Sequence, residues 1–361
     1  MFDYKLLKSE ELAVFKLRAL YRSYGYLPFK MSKFEDYDLY ARNKDFLVSD
    51  RVITFNDTDG RLLALKPDVT LSIIKNTKNT GDKQKVYYNE NVYRVSGSTG
   101  QFKELLQTGI ECIGNIDIAD IFEVVLLASR SLSTVSEDYV LDISHMGIVT
   151  AALSEATSDK SLKKHIMQLI AEKNSHEISE ICRQNGIPED KADVLVSLSR
   201  MYGDRCTVLE RLSRICPESA QSALLELRQL DSLLTSSGIG DSVRFDFSVV
   251  NNMKYYNGIV FKGFLSGICE GVLAGGEYDN LLESMRISSR GIGFALYLDL
   301  LVELDRPGSE YDVDVLLLYS QDCAPEMLVA KKAELIASGK SVYSSTEIPE
   351  KLTYRETIKL D

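Results

Sequence analysis

Helical periodicity fills one long block of this chain, from about residue 117 to 236, and strand-like runs lie on both sides of it. The runs before the block are RVITFND, RLLALK, QKVYYNENVYRV and KELLQTGIECIG; those after it are SVRFDFSVV, VVNNMKYYNGIVFKGF and GICEGVLAGG. Turn signals at Asp59-Gly60 and in the SGSTG loop separate the early runs, as in hairpins. Because strands need partners, this arrangement predicts an α+β fold in which an antiparallel sheet, flanked by helices, carries a mainly helical insertion.

The chain divides into two predicted domains. Residues 1–305 form the sheet domain, which begins with a helix at about 9–22, contains the insertion at about 150–236 and ends with a helix at about 291–304. Arg306-Pro307-Gly308 reads as a linker. The tail, 310–361, reads as strand, helix and strand, which predicts a short C-terminal α/β segment.

Composition limits the classes of function. The formal net charge of −11 over 361 residues is a poor match to nucleic acid, because phosphate contacts need clustered Lys and Arg. The six cysteines form no CxxC pair and the three histidines lack metal-ligand spacing, so we expect free thiols, no metal and no cofactor. The N-terminus lacks the apolar segment of a signal peptide, and no run is long enough to span a bilayer. We therefore expect a cytoplasmic protein.

The segment LALKPDVTLSII contains the first candidate site. Asp68 and Thr70 follow a predicted strand and fall in the first turn of a predicted helix. One interpretation is that either side chain caps the free N–H groups of that helix. The other is that a carboxylate and a hydroxyl group on a strand-to-helix turn bind an ammonium group.

Two further segments carry polar residues with strand spacing. Gln107 and Glu111 are four residues apart on a predicted strand and share one face, which is also what a solvated face would show. Tyr255 and Tyr256 are adjacent on another predicted strand, so we expect one of them, Tyr256, to face a pocket and the other to pack.

The pair Gly275-Gly276, just before Tyr278, allows two interpretations. It is as consistent with a bulge or a close approach of another element as with a ligand cradle.

Taken in order, YGYLPFKMSKFEDYDLYARN, LALKPDVT, VYYNENVYRVSGSTGQFKELLQTGIECIG, YYNGIVFKGF, LAGGEYDNL and GIGFALYLDLLVEL resemble the catalytic core of histidyl-tRNA synthetase, a class II aminoacyl-tRNA synthetase. The resemblance runs from about residue 10 to 304. It implies a dimer-forming protein with a histidine pocket on a large antiparallel sheet. It assigns histidine binding to Asp68, Thr70, Arg94, Gln107, Glu111, Tyr256 and Tyr278.

Within that pocket, Asp68 stands where the synthetases have a glutamate that holds the α-ammonium group. Gln107 and Glu111 match residues that bind the α-amino end and the imidazole, and Tyr256 and Tyr278 match tyrosines that line the pocket. The residue types suit histidine, because an imidazole offers donors and acceptors that Glu and Tyr can match.

The positions that serve adenylation in the synthetases differ here. Asn251 replaces the arginine that contacts the carboxylate and the transferred phosphate, and Lys254 replaces an aspartate. Leu300 and Gln101 replace two further arginines that serve ATP. Loss of one such charge-stabilising donor typically costs about 10²- to 10³-fold in rate. We therefore expect no catalytic residues and no useful synthesis of histidyl adenylate.

One family combines a retained amino-acid pocket with lost ATP chemistry: the regulatory subunits of ATP phosphoribosyltransferase, which act in the first step of L-histidine biosynthesis. The chain is similar to them in LALKPDVT and YYNGIVFKGF. The resemblance implies a hetero-oligomer with the short-form catalytic subunit, activation of that subunit, and feedback inhibition by L-histidine. It implies no tRNA partner, because residues 310–361 resemble only a truncated anticodon-binding domain. Most members of this regulatory family lack that domain altogether, so the tail departs from the family pattern. Two alternatives stay open: a histidine-sensing module for another partner, and a histidyl-tRNA synthetase with a shortened tail.

Overall fold

The structure is a computed structural model that describes residues 7–47, 51–77, 82–95, 100–250, 255–304 and 311–360. The chain divides into two compact units, Met1–Leu304 and Asp305–Asp361. No helix among the described residues is long and apolar enough to cross a lipid bilayer.

The larger unit combines helices with two sheets. Its strands are β1 Leu27–Pro28, β2 Phe34–Asp36, β3 Thr54–Asn56, β4 Leu62–Leu65, β5 Gln84–Val95, β6 Phe102–Gly114, β7 Tyr139–His145, β8 Tyr202–Gly203, β9 Val243–Asp246, β10 Ile259–Leu265, β11 Leu273–Glu277 and β12 Arg290–Tyr297. Its α-helices are α1 Ser9–Ser23, α2 Tyr37–Arg42, α3 Thr70–Asn76, α4 Ile118–Val135, α5 Met146–Ala156, α6 Lys160–Ala171, α7 Ser175–Gln184, α8 Glu189–Ser199, α9 Arg205–Ile215, α10 Gln221–Ser236 and α11 Asp279–Ser284. Short 3₁₀ helices cover Lys44–Phe46, Glu218–Ala220 and Leu298–Leu304.

Nine strands form the large sheet, in the order β1-β5-β6-β12-β11-β10-β7-β9-β8. Neighbouring strands are antiparallel except for β1 with β5 and β7 with β9. The strands β10 to β12, which follow the helices α5 to α10, therefore lie between β6 and β7, which precede those helices. This confirms the predicted α+β fold with an antiparallel sheet and a helical insertion, formed by α5 to α10.

The helix α4 begins at a well-defined cap and packs on the large sheet. The Asp117 carboxylate accepts hydrogen bonds from the N–H groups of Ala119 and Asp120, at 2.9 and 3.2 Å, and the Asp120 carboxylate accepts one from the Asp117 N–H group. One apolar stripe of the helix is fully buried, and each such side chain stabilises the fold by about 1.5–3 kcal/mol. Because α4 covers the sheet on this side, the candidate site lies elsewhere.

The early runs RVITFND and RLLALK form a separate small sheet, in the order β2-β4-β3. Gly60, with φ of +85°, makes the tight turn between β3 and β4 that the Asp59-Gly60 signal predicts. β4 leads through a short connection into α3, and that connection carries Asp68.

The predicted helix at about 291–304 is wrong. Arg290–Tyr297 is the strand β12, and a 3₁₀ helix follows at Leu298–Leu304. β12 pairs with β6 on one side and β11 on the other and is largely buried on both faces. A strand buried on both faces has no period of two, so periodicity cannot distinguish it from a buried helix.

The smaller unit contains one strand more than the sequence predicted. Its elements are β13 Val313–Tyr319, α12 Pro325–Ala337, β14 Val342–Ser345 and β15 Tyr354–Leu360. They form a parallel sheet in the order β14-β13-β15, with Leu316 and Leu317 of the central strand fully buried. Its descent from an anticodon-binding domain stays a prediction.

Candidate functional site

All seven residues assigned to histidine binding line one cavity of about 380 Å³ on the large sheet. They come from five places in the chain: the start of α3 with the turn before it, the strands β5 and β6, the segment before β10, and the residue after β11. Asp68, Thr70, Arg94, Gln107, Glu111, Tyr256 and Tyr278 are the seven. A volume of this size suits a small-molecule ligand.

Asp68 caps a helix and also faces the cavity, so the two interpretations of this residue hold together. Its Oδ1 accepts a hydrogen bond from the Leu71 N–H group at 2.9 Å. Its Oδ2 lies 3.7 Å from Arg94 Nη2. Burial raises the pKa of the Asp68 carboxyl group, although Arg94 and the helix N–H groups lower it in part. The cavity therefore contains a carboxylate that lacks full compensation and favours a cationic ligand group.

Glu111 lies on the floor of the cavity and is 2% exposed. Its Oε1 accepts a hydrogen bond from the Thr70 hydroxyl group at 2.8 Å, and its Oε2 accepts one from the Tyr278 hydroxyl group at 2.6 Å. Burial raises the pKa of the Glu111 carboxyl group to about 8, against the lowering effect of both hydroxyl donors; nearby Asp68 raises it further. Such a perturbed carboxyl group in a cavity is typical of a binding site.

Glu111 is oriented by a glycine on the neighbouring strand. Gly293 lies opposite Glu111 in the β6–β12 pair, and a Cβ atom at Gly293 would come within 1.8 Å of Glu111 Oε2. The absence of a side chain at Gly293 is what lets the carboxyl group lie flat across β12.

Gln107 and Tyr297 form a second part of the cavity. They lie opposite each other in the β6–β12 pair, and both line the cavity. Gln107 is 2% exposed, and its Nε2 has no hydrogen-bond partner within the described part of the chain. A buried amide without a partner is costly, so a ligand acceptor or a rotated amide would stabilise this position.

The expectation that only one of Tyr255 and Tyr256 faces the cavity is wrong. Both line it, with their ring centroids 4.5 Å apart. The predicted strand begins later, at Ile259, so residues 255–258 do not alternate as strand residues do. Burial raises the pKa of both phenols well above the usual range, so both stay neutral hydroxyl groups.

Arg94 is the one cation among the described residues that line the cavity. Its Nε donates a hydrogen bond to the Pro67 carbonyl oxygen at 2.7 Å, and Nη2 faces Asp68. The guanidinium group thus fixes the turn before α3 and partly neutralises Asp68. A triphosphate would meet two carboxyl groups and this single cation, so the described lining is a poor electrostatic match to ATP.

The Gly275-Gly276 pair allows close packing and does not line the cavity. A Cβ atom at Gly275 would lie 2.4 Å from the Gly293 carbonyl oxygen, and one at Gly276 would lie 2.9 Å from the Tyr256 ring. The pair therefore lets β12 approach closely and seats the Tyr256 ring.

The replaced synthetase positions fall in different places. Leu300 is partly buried and packs against the main core, and Gln101 is exposed. Asn251 and Lys254 lie outside the described residues. An apolar side chain therefore packs at the position that the resemblance matched with an ATP-binding arginine, and this match stays a prediction.

Tyr88, which also lines the cavity, was missed by the sequence analysis. It precedes Arg94 by six residues on β5 and therefore shares its face, so strand parity was a usable signal.

A second polar cluster, formed by His145, Glu226, Glu277 and Arg290, lies behind the cavity wall and was also missed. The Glu277 carboxylate accepts a hydrogen bond from the Ile259 N–H group at 2.7 Å and pairs with Arg290. Arg290 also lies 3.4 Å from Glu226, which contacts His145 at 3.0 Å. Burial raises the pKa of Glu277 to about 7. Tyr278, the next residue after Glu277, faces the cavity.

The sequence of this chain is similar to those of known proteins. The profile of the family described as histidyl-tRNA synthetase matches residues 5–301. A relative from Clostridium kluyveri, named ATP phosphoribosyltransferase regulatory subunit, is 30% identical over 84% of this chain and 81% of its own.

Two solved structures are similar to this fold. One is that of an ATP phosphoribosyltransferase regulatory subunit/histidyl-tRNA synthetase from Bacillus halodurans C, with a TM-score of 0.76 and 23% identity over 99% of this chain and 96% of that chain. The other is a chain of the ATP phosphoribosyl transferase (HisG:HisZ) complex from Thermotoga maritima, with a TM-score of 0.63 and 22% identity over 79% of this chain and 96% of that chain.

Proposed function

Since the chain belongs to the histidyl-tRNA synthetase family and, within it, to the regulatory subunits of ATP phosphoribosyltransferase, we propose that it activates a short-form catalytic subunit and makes it sensitive to L-histidine. It acts in L-histidine biosynthesis. The observation that carries this proposal is the cavity itself, which is lined by all seven residues that the resemblance assigns to histidine.

Histidine is the ligand that best fits the cavity. The Asp68 carboxylate suits an α-ammonium group, and the Glu111 carboxyl group with its two hydroxyl neighbours suits an imidazole. Tyr256 and Tyr278 supply aromatic walls. Feedback inhibition then follows if the catalytically competent and incompetent assemblies bind histidine with different affinities; a coupling of about 1–3 kcal/mol is enough.

The chain performs no adenylation or aminoacylation of its own. Leu300, packed against the core, cannot pair with a phosphate, and Arg94 is the one cation in the described lining. At Asn251 the sequence has an amide where the synthetases have an arginine. Phosphoryl chemistry depends on positioned positive charge, so these replacements support a regulatory role.

The expected partner is the short-form catalytic subunit, in a hetero-oligomer in which this chain also pairs with itself. The Thermotoga complex supports the pairing with a catalytic subunit, because one of its chains has a similar fold. We place the complex in the cytoplasm, with no tRNA partner.

The test is phosphoribosyl transfer to ATP by the short catalytic subunit from the same genome, with and without this chain and then with histidine. Activity should rise on mixing and fall when histidine is added. If mixing changes nothing, the paired-subunit function is wrong and a histidine-sensing module for another partner takes its place. Histidine-dependent exchange of pyrophosphate with ATP by this chain alone would instead support a synthetase.

A further inference from the structure

We propose that the imidazole of bound histidine and the Glu111 carboxyl group together hold one proton, so that the ligand is bound as an imidazolium beside a carboxylate. The inference rests on the histidine-binding function proposed above and assigns the charge state of that complex.

The first support is the geometry of the carboxyl group. Both oxygens of Glu111 already accept hydrogen bonds, from the hydroxyl groups of Thr70 and Tyr278. Hydroxyl donors orient a carboxylate but bring no positive charge. No described cation forms an ion pair with Glu111, which is 2% exposed. The charge that would stabilise this carboxylate must therefore come with the ligand.

The second support is the set of charged and titratable groups that face Glu111 from each neighbouring element. These are Asp68 before α3, Tyr88 and Arg94 on β5, Tyr255 and Tyr256 before β10, Tyr278 after β11, and Tyr297 on β12. Burial raises the pKa of the phenols of Tyr88, Tyr255, Tyr256 and Tyr278, so these four remain neutral. Arg94 is engaged by Pro67 and Asp68, so it does not compensate Glu111.

Counting charges then selects the one-proton state. With no proton, a buried carboxylate faces a neutral ring, and the pair keeps an uncompensated negative charge near Asp68. With two protons, an imidazolium faces a neutral acid, and a buried cation lacks its partner. With one proton, the pair is neutral overall. The two hydroxyl donors on Glu111 stabilise its carboxylate form, so they favour that proton on the imidazole, and the two groups then form a charge-assisted hydrogen bond.

This state has a defined pH dependence. In the empty cavity Glu111 has a pKa of about 8, and the imidazole of free histidine has an ordinary pKa of about 6.5. Between these values, free protein and free ligand already carry one proton, on Glu111, and binding exchanges none. Below about pH 6.5 binding releases a proton; above about pH 8 it takes one up, and affinity then falls by up to about tenfold per pH unit.

The test is isothermal titration calorimetry of the full-length chain with L-histidine at pH 5.5, 7.2 and 8.5, each in two buffers of different ionisation enthalpy. We expect release of about 0.9 proton at pH 5.5 and no exchange at pH 7.2. At pH 8.5, wild type should take up about 0.8 proton more than Glu111→Gln. The ammonium group of the ligand contributes equally to both proteins, so the difference measures Glu111.

Two further variants complete the design. Glu277→Gln removes another buried carboxyl group with a raised pKa, outside the cavity, and should leave the uptake at pH 8.5 unchanged. Tyr278→Phe keeps Glu111 but removes a donor that lowers its pKa, so the uptake should begin at a higher pH. This second variant tests the proposal even if Glu111→Gln binds too weakly to measure.

The outcomes distinguish the shared proton from histidine binding itself. If wild type binds histidine with the same proton uptake as Glu111→Gln at pH 8.5, the shared proton is wrong while histidine binding stands. If wild type shows no binding at any pH, the proposed histidine site is wrong and the shared proton falls with it.

Discussion

Replacing Asp68 by asparagine should weaken histidine binding without destabilising the fold. Asparagine keeps a side-chain oxygen for the Leu71 N–H group, now bound at 2.9 Å, and removes only the charge. A hydrogen bond to a charged group contributes about 1.5–3 kcal/mol, so the dissociation constant should rise about 10- to 150-fold.

The effect on stability has the opposite sign to the effect on binding. Burial raises the pKa of Asp68, so folded Asp68 keeps its proton at pH values where the unfolded chain has already lost it. As pH rises from the ordinary carboxyl pKa to the raised pKa of folded Asp68, the free energy of unfolding therefore falls. At pH 7, Asp68→Asn should leave the melting temperature unchanged or raise it slightly, because Arg94 retains its bond to Pro67.

Asp68→Ala is the matched variant, because it removes the helix cap as well as the charge. Loss of a cap costs about 0.5–2 kcal/mol, so this variant should melt at a lower temperature than Asp68→Asn while binding histidine equally weakly. Calorimetry gives the affinity and thermal unfolding gives the stability. In the two-subunit assay both variants should still activate the catalytic subunit, with histidine inhibition shifted by the same factor. Normal histidine affinity in Asp68→Asn would show that the ammonium group binds elsewhere. Weak histidine binding in Asp68→Ala but not in Asp68→Asn would show that binding depends on the helix cap and not on the charge of Asp68.

Three other changes test separate parts of the structure. Gly293→Ala should abolish histidine binding and lower the free energy of unfolding by about 1–3 kcal/mol, because its Cβ atom would come within 1.8 Å of Glu111 Oε2. Gly240→Ala is the control, because a Cβ atom there meets nothing within 4 Å. Normal histidine affinity in Gly293→Ala would contradict the placement of Glu111. Between about pH 4.5 and 8, the free energy of unfolding should fall more steeply in wild type than in Glu111→Gln, since folded Glu111 keeps a proton that the unfolded chain has lost. The same pH dependence of this free energy in both proteins would refute the pKa of about 8. The double variant Asn251→Arg with Leu300→Arg should not charge tRNA, because Leu300 is partly buried against the core and an arginine there would not be placed to bind a phosphate. Measured aminoacylation would show that the two arginines suffice.

The sequence predicted the strands of the large sheet where alternation is clear and failed where burial removes it. QKVYYNENVYRV is β5 from end to end, and KELLQTGIECIG is β6 without its first residue, Phe102. β12, buried on both faces between β6 and β11, was predicted as a helix because nothing in its apolar run distinguishes the two.

In the cavity too, some positions could be predicted from the sequence and others could not. Gln107 and Glu111 were placed on one face by parity alone, since they lie on one strand. Tyr297 could not be found, because its place opposite Gln107 depends on which distant strand pairs with β6. The two adjacent tyrosines were misassigned because the strand begins only at Ile259. Local spacing thus predicts neighbours within one strand, and long-range pairing decides the rest.

The pairing of β6 with β12 also sets the order in which the molecule can be completed during synthesis. Gln107 leaves the ribosome long before Tyr297, and the whole helical insertion lies between them. Contacts so distant in sequence form late, because a long loop must close first. Until then β6 is an open edge on one side, which can pair with other chains. The wall of the cavity that contains Gly293 and Tyr297 is therefore among the last parts of the larger unit to form, and a nascent chain cannot bind its ligand before the strand order is complete.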